Sequence, residues 1–127
     1  MRNSIKAIAL VLALVACGGD PGDPGTTGTV VTGSGDRGRG QEIFDSTCIT
    51  CHGPGGIGIA GMGKPLTTST FAAGLTDSEL LAFLAVGRPA DDPLNTTGVV
   101  MPPRGGNPAL TDADLIDVIA YVRTLAG

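Results

Sequence analysis

The sequence predicts an all-α fold, about three main helices joined by long loops, and three observations predict it. Leu115, Val118, Ile119, Val122 and Leu125 recur at helical spacing and form an amphipathic stripe. Thr76-Asp77-Ser78-Glu79 and Thr111-Asp112-Ala113-Asp114 are capping patterns, in which a hydroxyl and a carboxylate satisfy the free amides of a helix start. No stretch shows the alternation of a half-buried strand.

The chain has 127 residues, enough for one small domain. Its aromatic side chains are only Phe44, Phe71, Phe83 and Tyr121, while Gly is abundant at 21. The hydrophobic fraction of 42% overstates the core, because the first residues contribute heavily to it. So small a domain buries little surface and often needs a staple.

Cys48-Ile49-Thr50-Cys51-His52 supplies one. The pattern is C-x-x-C-H, the spacing for covalent attachment of a c-type haem. Two thiols at this spacing can face the two vinyl groups on one porphyrin edge and form thioethers. The next residue, His52, is then held beneath the ring and can offer a nitrogen to iron. Other readings fit less well. A structural zinc site wants four ligands, and His52 is the sole histidine. A redox dithiol expects a βαβ setting. A disulfide between Cys48 and Cys51 closes only a tiny loop and leaves His52 unexplained.

Residues 1–16 read as a secretory leader: Arg2 and Lys6 precede an apolar run from Ala7 to Ala16. That run is shorter than the ~20 residues of a transmembrane helix. Leu14-Val15-Ala16-Cys17 resembles a bacterial lipobox, which implies lipidation of Cys17 at a new N-terminus. Residues 17–36 then form an anchored linker rich in Gly, Pro, Thr and Asp. Its flexible part has a root-mean-square span of roughly 25 Å. Residues 37–127 are the folded domain.

Within it, a helix is expected from Arg37 to Cys48, with Gly40 and Phe44 on one face. Gly53 to Leu66 is Gly-rich and reads as a loop around one haem edge. A phosphate cradle is rejected there because no G-K-[ST] follows. A second helix is expected over Leu75–Gly87, with Leu80, Phe83 and Leu84 on one face. Pro89 to Leu110 holds five prolines and is irregular, a length that points to function. The last helix runs to about Leu125, with Arg123 favouring its negative end.

With His52 on one side of the iron, Met62, Lys64 and Met101 compete for the other. Met62 follows His52 closely in the Gly-rich loop, on the same side. Met101 lies beyond a full helix, with ample chain to cross the ring, and Pro102 and Pro103 stiffen its backbone.

Across about Arg37 to Leu125 the chain resembles class I c-type cytochromes, on Cys48-Ile49-Thr50-Cys51-His52, Met101-Pro102-Pro103 and the terminal amphipathic helix. The resemblance implies the cytochrome c fold, one haem c held by Cys48 and Cys51, and His52/Met101 ligation. It implies a crossing of the N- and C-terminal helices, with Gly40 and Phe44 meeting Val118 and Tyr121. It also implies that Pro65, of Pro65-Leu66, offers its carbonyl to the His52 ring. The Gly-rich insert before Pro65 and the absence of Trp depart from the family pattern. They leave Arg88, Asn95 and Arg104 as candidates to meet the haem propionates.

The expected function is one-electron transfer between redox proteins, an oxidase, reductase or dehydrogenase, with no small-molecule substrate and no enzymatic turnover. Of eight Lys and Arg, Arg2 and Lys6 belong to the leader, so twelve acidic side chains face six basic ones. That balance disfavours nucleic acid and favours basic docking patches. The expected location is periplasmic or otherwise extracytoplasmic, lipid-anchored to a bacterial membrane. Two alternatives keep the haem: a peroxidase or gas or redox sensor with an open iron site, and an electron-transfer subunit of a larger membrane oxidoreductase.

Overall fold

A computed structural model describes residues 34–126; the leader, Cys17 and residues 18–33 of the linker lie outside them. Asp36 opens the first helix by accepting hydrogen bonds from the Gly38 and Arg39 amides at 2.8 and 3.0 Å. Helix α1 (Arg37–Ile43) passes into a π turn (Phe44–Cys48) and then α2 (Ile49–His52). The helical run therefore reaches His52, past the Cys48 expected from sequence. It stops at Gly53, whose φ of 72° is open to glycine at little cost. The extra residue in a π turn shifts the phase of the side chains that follow, here those of the C-x-x-C-H segment.

Helix α3 (Thr70–Gly74) is short and begins at Ser69, whose hydroxyl accepts from the Ala72 amide. Five residues are too few to show a helical period, so it was not expected. Helix α4 (Asp77–Val86) starts at the Thr76–Glu79 capping box and ends at Gly87, two residues inside the expected start and one inside the expected end. Helix α5 (Asp112–Leu125) starts at the Thr111–Asp114 box and ends where expected. Single 3-10 turns occur at Pro54–Gly56 and Pro103–Gly106. Among the described residues there is no strand, only isolated bridges pairing Ile59 with Gly63 and Arg88 with Met101.

The core forms where α1 meets α5. A methyl group on Gly40 would overlap the Asp117 carbonyl, so the two backbones touch. Phe44 is fully buried and its ring lies 5.3 Å from that of Tyr121, with Leu115, Val118 and Ile119 buried beside them. Arg39 binds Asp114 and, at 3.0 Å, Asp117, closing the exposed side of the crossing. At the other end of α5, Arg123 donates to the Ala72 carbonyl, to the Leu75 carbonyl at 2.6 Å and to Asp77 at 3.0 Å. Its guanidinium therefore ties the α3–α4 junction to α5, a larger role than a dipole contact. Among the described residues no helix is long and apolar enough to cross a membrane.

Candidate cofactor site

The helices line an open-mouthed cavity. Cys48, Cys51 and His52 line it from the first helical run, Leu80, Phe83 and Leu84 from α4, Val118, Ile119 and Val122 from α5, and Met101 from the long loop. Every residue of the C-x-x-C-H motif that carries chemistry therefore opens onto one mostly apolar space, and Met101 opens onto it too. Met62 and Lys64 line it as well.

His52 is fixed by one hydrogen bond. Its Nδ1 lies 2.8 Å from the Lys64 carbonyl oxygen. A carbonyl only accepts, so Nδ1 carries the proton and Nε2 keeps a free lone pair for a metal. The acceptor is Lys64 and not Pro65, as the resemblance implied. Pro65 acts one step removed, since a residue before proline is held extended. Gly58 packs so tightly on Pro65 that a methyl group there would lie 2.6 Å from its nitrogen. Gly63 presses on Cys51 in the same way, which holds the hairpin Ile59–Gly63 against the motif.

Met101 is pinned through its backbone. Its amide donates to the Arg88 carbonyl, and its carbonyl accepts from the Arg88 amide, both at 2.8 Å. Gly87 makes this approach possible: its φ is +75°, and a methyl group there would overlap the Met101 carbonyl. Pro102 and Pro103 follow, so the backbone on both sides of the thioether has little freedom.

Burial, and secondarily the neighbouring Cys51, push the Cys48 thiol up to about 11. A redox dithiol needs an accessible thiolate, so this environment argues against that reading. Both thiols are free. Among the described residues no three His, Cys, Asp or Glu side chains are grouped to hold a metal ion, which removes support for zinc.

The three cations and amides proposed for the propionates separate clearly. Asn95 is consumed by its own loop: its Oδ1 accepts from Thr97 and Gly98, and its Nδ2 donates to the Pro89 and Val99 carbonyls. Arg104 is consumed by the Leu110 carbonyl and Asp112. Arg88 lines the cavity, and its buried Nε has no hydrogen-bond partner. Two free thiols, a histidine with a lone pair to give, apolar walls and an orphaned buried cation fit a haem with carboxylate side chains.

An all-helical domain with this set of groups on one cavity has the architecture of a covalent haem protein. Residues 38–126 match the Cytochrome c family, and the chain belongs to it. It is 31% identical over 94 residues to the cbb3-type cytochrome c oxidase subunit CcoP of Rhodobacter capsulatus, covering 69% of this chain and 29% of CcoP. It is 31% identical over 93 residues to subunit FixP of Bradyrhizobium diazoefficiens, covering 72% and 28%. It is 31% identical over 88 residues to cytochrome c-555 of Chlorobaculum thiosulfatiphilum, covering 68% of this chain and 93% of that protein. The chain thus spans less than a third of the two oxidase subunits and almost all of the cytochrome c-555. No solved structure matches. The chain is a class I c-type cytochrome, and the cofactor of that family is haem c.

Proposed function

We propose that the chain is a one-electron carrier in which His52 and Met101 take both axial positions of the iron. The observation that carries this is their shared cavity, with His52 bonded to Lys64 through Nδ1 and Met101 bonded to Arg88 through its backbone. Covalently bound haem supplies a one-electron couple, and Met/His ligation raises its potential. The chain's own contribution is rigidity. Lys64 keeps the His52 ring in one orientation, and the Arg88–Met101 bridge keeps the thioether at one depth. Two fixed protein ligands leave no place for a substrate, which favours a carrier over a peroxidase or sensor.

Met62 also reaches the cavity, but it is 42% exposed and lies two residues from the carbonyl that holds His52. Its place in the chain suits the His52 side, so Met101 is the better ligand. The test is a pair of substitutions. Met101→Ala should open the iron to carbon monoxide, whereas Met62→Ala should leave the visible spectrum unchanged. The reverse result would make Met62 the ligand.

The same reading places the domain at residues 37–127, behind a leader at 1–16 and a linker at 17–36 anchored by lipid at Cys17. It puts the protein in the periplasm or elsewhere outside the cytoplasm, lipid-anchored to a bacterial membrane. A redox partner of the oxidase class fits, because two relatives bear the names of oxidase subunits.

A further inference from the structure

The twelve residues from Pro89 to Val100 separate Arg88 from Met101, whose backbones pair. Their burial is inside out. Asp92, Asn95 and Thr97, all polar, are partly covered, and every other residue of the loop is exposed. Val99 and Val100, just before Met101, are 37% and 53% exposed. Apolar packing within the chain therefore does not set the shape of this loop, and the entropy of closing it opposes the pairing of its ends.

One carboxamide supplies what packing does not. Asn95 Nδ2 donates to the Pro89 carbonyl at 2.9 Å and to the Val99 carbonyl at 2.8 Å. Those carbonyls belong to opposite arms: Pro89 follows Arg88, and Val99 stands two residues before Met101. Asn95 Oδ1 accepts from the Thr97 hydroxyl at 3.0 Å, the Thr97 amide at 3.2 Å and the Gly98 amide at 3.0 Å. The carboxamide can face only this way, because carbonyls only accept and amides only donate. Pro89 has no amide to offer the facing arm. Among the described residues the Arg88–Met101 bridge is the only backbone pairing between the arms, and Asn95 is the side chain that joins them beyond it.

We propose that Asn95 is a positioning residue for Met101: its carboxamide locks the loop and so keeps the thioether on the iron. This rests on the His52/Met101 reading above. Asn95 makes no hydrogen bond to the Met101 sulfur; it acts through the two arms and the Arg88–Met101 bridge that they carry. Without that crosslink the arms part more often, and the fraction of molecules with Met101 off the iron rises. An external ligand then binds more tightly in proportion to that fraction.

The experiment titrates imidazole, which competes with Met101 for the iron, into ferric holoprotein matured in a periplasm and held well below its unfolding transition. Asn95→Asp keeps the side-chain shape and the accepting oxygen but turns a second oxygen toward two carbonyls. It should tighten apparent imidazole binding about tenfold or more, two hydrogen bonds being lost, and Asn95→Ala should do the same. Asn107→Ala removes a neighbouring loop carboxamide that accepts only from the Ala109 amide. It should change the affinity by less than about twofold. An Asn95→Asp protein that binds imidazole no more tightly than the unmodified protein overturns the proposal, and so does an equal gain in Asn107→Ala. Should neither Asn95 variant hold haem, Thr97→Val decides. It removes the hydroxyl that donates to Asn95 Oδ1 and accepts from the Val99 amide. It should tighten binding about threefold, and no change there also overturns the proposal. Met101→Ala separates the two levels. If it leaves imidazole binding unchanged, Met101 is not the ligand and the reading falls together with the proposal; if it tightens binding while Asn95→Asp does not, the proposal alone falls.

Discussion

Asp114 does two jobs with one carboxylate. It completes the Thr111 cap and receives Arg39 from α1. The Thr111 hydroxyl and amide, and then Arg39, hold its carboxyl down to about 2 from the usual 3.8. A lowered folded value means stability present above the unfolded value and lost as pH falls from about 4 toward 2. One pKa unit is about 1.4 kcal/mol, so the contribution is about 2 kcal/mol. We expect Asp114→Asn to lose roughly that amount near neutral pH in denaturant melts, with the gap to the unmodified protein closing as pH approaches 2. At this scale the cofactor-attaching residues were legible, because covalent attachment demands a fixed spacing. The carbonyl that orients His52 was misplaced by one residue, Pro65 for Lys64, because backbone rotation in the loop decides which oxygen faces the ring. Arg88 could not be separated from Asn95 and Arg104, because their partners lie in contacts no short pattern encodes.

Helix α1 crosses α5 at Gly40, where the backbones have no room for a side chain. We expect Gly40→Ala to cost at least about 2 kcal/mol in thermal or denaturant unfolding, despite alanine's better helix propensity. A neutral or stabilising effect would show that the crossing yields easily. The stripe on α5 and both capping boxes made two helices readable, and Gly40 with Phe44 made their crossing readable. The π turn was not. Phe44–Cys48 contains no Gly or Pro to mark a break, and its widened turn is set by packing. Helix α3 was missed because five residues are too few to show a period.

Charge acts over the whole molecule. The acidic excess beyond the leader suits a basic docking patch on a partner, and small, transient contacts are usual for electron transfer. Salt should therefore slow electron exchange with a basic partner, measured by stopped flow; a rate indifferent to salt would count against electrostatic docking. Anchoring is testable at the same scale: Cys17→Ser should release the protein from membranes, and continued tight association would defeat lipidation.

The visible spectrum of the unmodified protein, matured in a periplasm and reduced under carbon monoxide at neutral pH, bears most directly on His52/Met101 closure. With both iron positions held by protein, we expect a six-coordinate low-spin c-type spectrum that carbon monoxide does not move. A high-spin spectrum, or prompt carbon monoxide binding, would contradict the carrier and point to an open iron site.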